Sequence, residues 1–430
     1  MTLYADMTRD ELKALRDELL AEYRSFQAKG LNLNMARGKP SAAQLELSLP
    51  MMDILTSESN FNAEDGSDCR NYGGLEGIPE ARRIMAAMLD DEPENVIMGG
   101  NSSLSLIYNT FVRFLDLGSL GSRPWREYDH IEWICPVPGY DRHFAICETF
   151  GIKMIPVQLT ENGPDMDEVE RLVASDDRIK GMFCMPKYSN PSGISYSDET
   201  VRRLASMKTA ANDFRIIWDN AYCIHHFYDE PERQDHVLDI AKACNEAGNP
   251  DRYVKFASTS KVTFAGAGIS AFAASPNIIK DVLGVLTIEM IGHDKINQLR
   301  HARFLRDGDG LAEHMSKHAA LMRPKFELVL EKLRTQLAPL EIGRWTSPRG
   351  GYFITFNAPD GTAKRVVQLA KNAGVVLTGA GATWPLHNDP HDSDIRIAPS
   401  LPPLDELDIA MDVFCCAVKL AYVEKLLADE

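Results

Sequence analysis

Three short stretches set chemically capable side chains at the ends of apolar runs. Ser258-Thr259-Ser260-Lys261 follows the run Tyr253, Val254, Phe256 and Ala257, and Ala265-Gly266-Ala267-Gly268 comes shortly after it. A lysine at a strand end, beside two hydroxyls and a glycine turn, is placed to hold an aldehyde cofactor as a Schiff base. Alone, the tetrapeptide reads as a solvated loop lysine, because lysine prefers the surface. Its company is upstream. Asn190-Pro191-Ser192-Gly193 carries a turn signal, and Asp219-Asn220-Ala221-Tyr222 closes the apolar run Phe214–Trp218. An amine, a carboxylate, an amide and a phenol are thus set at loop and strand ends.

The elements that must position these groups alternate. Strands are expected at Val96–Met98, Ile131–Cys135, Lys153–Val157, Gly181–Met185, Phe214–Trp218, Tyr253–Ala257 and Ile269–Ala273, with helices at Pro79–Leu89 and Ser103–Phe114 among them. Such alternation means an α/β fold with a mostly parallel sheet covered on both faces. Ligands in these folds lie outside the carboxyl ends of the strands, where the three stretches converge. Ahead of the sheet, Thr8-Arg9-Asp10-Glu11 is a capping box opening a helix with Leu12, Leu15, Leu19, Tyr23 and Phe26 on one face. Behind it, one long helical region is expected from Asp294 to Gln336. Trp345, Tyr352–Phe356, Val375–Leu377 and Ile395–Ile397 then read as strands of a smaller α+β unit closed by a helix at Asp405–Leu427.

Composition bounds the function. The 430 residues suit two domains, and the net charge of -16 argues against a nucleic-acid partner. Eight scattered cysteines, none in a C-x-x-C pair, read as reduced thiols of a cytoplasmic protein. No signal peptide, membrane span or metal ligand set is expected.

In their order, the three stretches resemble the large domain of fold-type I pyridoxal-phosphate (PLP) aminotransferases of class I. The match is nearest to the divergent bacterial aspartate aminotransferases of type Ic, through Arg37-Gly38-Lys39-Pro40, Asp294–Arg300 and Lys317–Leu333. The resemblance implies a large PLP-binding domain over 51–320, with a seven-stranded-type sheet. A small α+β domain would combine 1–50 and 321–430. It also implies a homodimer with shared sites. The substrates would be an amino acid, aspartate first, and 2-oxoglutarate.

The same resemblance assigns roles. Lys261 is the Schiff-base amine, Asp219 the partner of the pyridine nitrogen, and Asn190 and Tyr222 the donors to the cofactor's phenolate oxygen. Asn101, Ser102 and Ser103, with Ser258 and Ser260, would cradle the phosphate at a helix N-terminus; by themselves the first three also read as a plain N-cap. Tyr72 would reach the neighbouring subunit's phosphate. Tyr140 would stack on the pyridine ring, or be a core aromatic. Arg396 would bind the substrate α-carboxylate as a bidentate pair, with Gly38 closing over it.

Two points stay open at this level. Most class I enzymes carry a phosphate-clamping arginine eight residues after the lysine, where this chain has Ile269. A second substrate carboxylate needs its own cation, for which Lys295 is the first candidate and Arg37 the second. Lys295 could instead pair with Asp294 or reach the phosphate. Alternative functions are a PLP lyase or decarboxylase, which would share every cofactor residue, and a non-enzymatic effector domain. The latter would be expected to carry a DNA-binding domain before Thr8 and a basic character. A dinucleotide-binding reading is poorer, since Gly379-Ala380-Gly381 is a lone G-x-G.

Overall fold

The computed structural model of the chain describes residues 2–429. From the N-terminus the chain forms α1 (Arg9–Gln27), β1 (Leu33–Asn34), α2 (Ala42–Glu46), α3 (Pro79–Leu89), β2 (Val96–Met98) and α4 (Ser103–Leu117). It continues through β3 (Glu132–Val137), α5 (Asp141–Phe150), β4 (Lys153–Thr160), β5 (Gly163–Pro164), α6 (Met166–Ser175), β6 (Ile179–Cys184) and α7 (Asp198–Ser206). Next come β7 (Arg215–Asp219), α8 (Ile240–Glu246), β8 (Tyr253–Ser258), β9 (Ser270–Ala274), α9 (Pro276–Glu289), α10 (Lys295–Leu305) and α11 (Gly308–Gln336). The last part holds β10 (Arg344–Trp345), β11 (Ile354–Asn357), α12 (Ala363–Asn372), β12 (Val375–Val376), β13 (Asp394–Ile397) and α13 (Leu404–Asp429).

The main sheet has the order β2-β9-β8-β7-β6-β3-β4-β5. The run β8-β7-β6-β3-β4 is parallel, and β9 joins β8 antiparallel. Eight strands are present rather than seven; the extra one is the two-residue β5, pinned antiparallel to the end of β4. β3, β6, β7, β8 and β9 are buried along their whole length, which accounts for their unbroken apolar runs. Because these central strands run together, Val137, Cys184, Asp219 and Ser258 all finish at one end of the sheet.

A second core joins the two ends of the chain. Leu12, Leu19, Tyr23 and Phe26 of α1 pack with Phe326, Val329, Leu333, Phe356 and much of α13. The Thr8–Glu11 capping box that opens α1 is formed. No helix among the described residues is long and apolar enough to cross a membrane.

One expectation about the helices is corrected by the structure. The helical region 294–336 is two helices, broken at Arg306, where φ is +66°. Asp307 then caps α11 by accepting from the Gly310 N–H at 2.8 Å. A Cβ on Gly310 would lie 2.1 Å from the Leu305 carbonyl oxygen, so the turn needs a glycine there. The apolar periodicity runs through this break and hides it. Within the smaller unit, β10, β11 and β13 form their own antiparallel sheet, and Val375–Val376 pairs parallel with β1. A two-residue run carries no information about its partner.

That small ladder ties the N-terminal segment to the C-terminal part through Gly374. Its φ is +86°, and a Cβ would lie 2.0 Å from the Leu31 carbonyl oxygen. Gly361 has a similar φ of +78° with nothing within 4 Å. Gly374→Ala should therefore cost about 3 kcal/mol or more in denaturant unfolding, by clash plus strain. Gly361→Ala should cost about 1–2 kcal/mol, by strain alone. Equal losses would contradict this role for the ladder.

Candidate active site

The end of β7 delivers Asp219 into the interior, in register with Phe256 of β8. The residue is 3% exposed. Its Oδ2 accepts from His143 Nε2 at 2.9 Å, while Oδ1 is buried and has no partner among the described residues. His143 is held in turn. It lies three residues beyond Tyr140, the N-cap of α5, and its ring stacks on Phe183 with centroids 4.5 Å apart and planes at 15°. Tyr140 meets the same imidazole edge-on at 5.0 Å.

At the end of β8 the chain turns through Ser258–Lys261. Ser258 Oγ donates to Ser260 Oγ at 3.0 Å, and Ser260 Oγ donates to the Asn101 carbonyl at 3.1 Å. Asn101 Nδ2 donates to the Gly266 carbonyl at 3.4 Å, and Ser270 Oγ to that of Gly100 at 2.9 Å. These bonds stitch the loop before α4 to the loop after β8. Ser102, the N-cap of α4, makes no side-chain bond to its own helix. Hydroxyls and free amide N–H groups are thus gathered at the positive end of a helix, a ready anion site. Ile269 is buried in the apolar core and adds nothing to this cup.

Lys261 Nζ lies 4.8 Å from the centroid of the Tyr222 ring. Tyr222 is buried against Tyr352 at 5.6 Å and meets Phe353 edge-on at 5.9 Å. Burial pushes its phenol well above the ordinary range, with the positive charge of Arg396 pulling the other way. Burial likewise raises Tyr140 to about 12, opposed by the charge of Lys261.

Arg396 comes from β13 and is buried beside this group. Its Nη1 donates to Asn190 Oδ1 at 3.2 Å and faces Asp141 Oδ1 at 3.4 Å, while Nε donates to Thr378 Oγ1 at 3.3 Å. The guanidinium lies 4.9 Å over the ring of Phe353. Gly38 supports the other side: a Cβ there would be 2.4 Å from Phe353 Cζ, so only a glycine lets the Arg37–Pro40 turn close on the ring.

Lys261, Asp219, Tyr222, Asn190, Tyr140 and Arg396 are therefore gathered with the cup of Asn101, Ser102, Ser103, Ser258 and Ser260. Tyr72, Lys295 and Arg37 have other surroundings. Tyr72 is 84% exposed. Lys295 is buried and donates to the carbonyls of Tyr72 at 3.2 Å and Gly73 at 2.6 Å. Its amine thus braces the Tyr72 loop, and the alternative pairing with Asp294 is not formed; Asp294 caps α10. Arg37 is exposed.

Sequence reading missed His143, Asp141, Thr378 and the use of Phe353 as a platform. The first two follow Tyr140 by three residues and one, a spacing that means something only once Tyr140 is known to start a helix. Nothing local marks Thr378.

Comparison with known proteins adds an independent line. A sequence profile of the family described as aspartate amino-transferase matches residues 7–430. An aspartate aminotransferase of Corynebacterium glutamicum is 44% identical over 97% of this chain and 96% of its own. The crystal structure of an aspartate transaminase from that organism superposes with a TM-score of 0.95, at 43% identity and 99% coverage of both chains. An α-aminoadipate aminotransferase from Thermus thermophilus, 19% identical with a TM-score of 0.73 over 94% of this chain and 96% of its own, shares the fold.

His143→Leu keeps bulk beside Phe183 and removes the one donor to Asp219. A buried carboxyl group with neither oxygen paired should cost about 1–3 kcal/mol in urea unfolding. Unchanged stability would mean that Asp219 does not depend on the imidazole.

Proposed function

The chain belongs to the aspartate aminotransferase family, and we propose that it transfers an amino group from an amino acid, aspartate first, to 2-oxoglutarate with pyridoxal 5'-phosphate as cofactor. The observation that carries this reading is Asp219, whose buried Oδ1 lacks a partner among the described residues while Oδ2 is tied to His143. A protonated ring nitrogen is the donor that fits such an oxygen, so the residues present suit a pyridine cofactor. Bound there, the cofactor supplies an electron sink for negative charge developing on the substrate's Cα.

The residues divide the remaining work. Lys261 is the amine that anchors the cofactor, and its Nζ carries the proton away from the substrate's Cα. His143 orients Asp219. Asn190 spends Oδ1 on Arg396, which leaves its amide N–H groups, with the Tyr222 O–H, to hold the cofactor's ring oxygen. Ser258, Ser260 and the first turn of α4, with Asn101, Ser102 and Ser103, take the phosphate through hydroxyls and backbone. Tyr140 covers the ring. Arg396, stiffened by Thr378 and Phe353, takes the substrate α-carboxylate as a bidentate pair; Gly38 keeps the adjoining turn closed.

We further propose a cytoplasmic homodimer in which Tyr72 completes the partner's phosphate cup. Exposed Leu49, Met52, Tyr72, Ile288, Ile291 and Ile296 support a buried subunit contact. Eight free, buried thiols support a reducing compartment. A large domain over 51–320, with a small domain of 1–50 and 321–430, is supported by α11. Its Leu311 and Met315 pack beneath the main sheet, while Met322 and Phe326 pack in the second core.

Incubation with aspartate and 2-oxoglutarate should yield oxaloacetate and glutamate in equal amounts. Release of carbon dioxide or ammonia without glutamate would instead favour a decarboxylase or lyase of the same fold. For the second carboxylate, Lys295 and Arg37 divide by their surroundings. The two carbonyls on Lys295 Nζ support bracing of the Tyr72 loop, whereas exposed Arg37 beside Gly38 is the freer cation. Arg37→Ala should lower kcat/KM for aspartate about 10–100-fold and leave phenylalanine nearly unchanged, the scale of one charged hydrogen bond. Lys295→Ala should affect all substrates alike; the reverse pattern would assign the second carboxylate to Lys295.

A further inference from the structure

The segment that bears Lys261 is surrounded by buried imidazoles. Residues 259–263 form a tight turn in which the N–H groups of Val262 and Thr263 donate to the Thr259 carbonyl. The Val262 carbonyl, one peptide beyond Lys261, lies 2.7 Å from His314 Nε2 and 2.9 Å from His318 Nε2. The Lys261 carbonyl lies 3.4 Å from His225 Nε2. His301 holds the turn from the other side, with Nε2 at 2.9 Å from Thr263 Oγ1 and 3.3 Å from Thr259 Oγ1.

The proton positions on the pair at Val262 follow from their neighbours. A carbonyl only accepts, so both Nε2 atoms carry protons, and their 3.2 Å approach is not a hydrogen bond. His318 then needs a donor at Nδ1, and Gln44 Nε2 lies there at 3.3 Å. The orientation of Gln44 is set independently: its Oε1 accepts from Ser41 N–H at 3.0 Å and Ser41 Oγ at 3.3 Å. Its amide N–H groups are therefore left for His318 and for the Tyr352 hydroxyl, at 2.8 Å. Burial lowers His318 to about 4 and lowers His314 as well, so both are neutral donors near neutral pH. His314 and His318 sit four residues apart on α11 and so share one face.

We propose that His314 and His318, with Gln44 behind them, are positioning residues for Lys261: two imidazole donors on the Val262 carbonyl fix the next peptide plane and hence the direction in which the lysine leaves its turn. The inference rests on Lys261 being the cofactor-bearing amine. It gives the short helix α2, far from the lysine in sequence, a task in the site. The capping box at Ser41 orients Gln44, Gln44 selects the tautomer of His318, and His318 aims the turn.

The test compares His318→Leu with His318→Gln as holoenzymes, because a glutamine amide N–H can take the place of Nε2–H. His318→Leu should lower kcat about 10-fold with KM for aspartate within about 2-fold, the scale of one net hydrogen bond. It should also move the pH midpoint of the cofactor's visible band, which reports on the environment of the lysine nitrogen. His318→Gln should restore the midpoint and most of kcat. Identical behaviour of the two variants, or a loss confined to melting temperature, would overturn the proposal. Should His318→Leu fail to fold, Gln44→Met removes the donor to Nδ1 and should move the midpoint in the same direction; an unmoved midpoint with unchanged kcat would overturn it equally. A wild-type protein without a visible band would overturn the reading of Lys261 itself, and the inference with it.

Discussion

A carboxyl group buried at the end of a central strand is costly unless both oxygens are satisfied, and the arrangement around Asp219 meets that demand only halfway. His143 satisfies Oδ2; nothing among the described residues satisfies Oδ1. Much of the site follows from the half that is met. The imidazole must reach Asp219, so α5 must begin at Tyr140, and the ring must stay flat on Phe183 of the neighbouring strand β6. The unmet half leaves a buried acceptor open to a donor from outside the chain.

The second dependence runs between the two ends of the chain. Arg396 belongs to the small antiparallel sheet, yet its partners Asn190 and Asp141 follow strands of the main one. Phe353 lies between the arginine and the Gly38 turn, so the N-terminal segment, the C-terminal sheet and the main sheet meet at one ring. Asp141 and Asn190 share the same guanidinium nitrogen, Nη1, at 3.4 and 3.2 Å. The surroundings of Arg396 are thereby built from parts that only the complete fold brings together.

Legibility in the sequence followed the range of the interaction. The main-sheet strands were readable because buried parallel strands are uninterrupted apolar runs, and the capping box of α1 because it is four residues long. Lys261, Asp219, Tyr222 and Asn190 stood out through their places at strand and loop ends. What lay hidden depends on distant partners. His143 matters through a carboxylate 76 residues away, and the register of Val375 against Leu33 spans nearly the whole chain. The break at Arg306 was masked because both flanking helices bury faces of the same period. Lys295 illustrates a third kind of gap: its chemistry suits a carboxylate, but two backbone carbonyls already accept from two of its three N–H groups.

The central claim is that Lys261 carries the cofactor. Borohydride reduction of the purified yellow protein, followed by peptide mapping, tests it most directly. A phosphopyridoxyl group fixed to the peptide containing Lys261 is the predicted result. The same group on another lysine, or a cofactor that reduction leaves free, would contradict it.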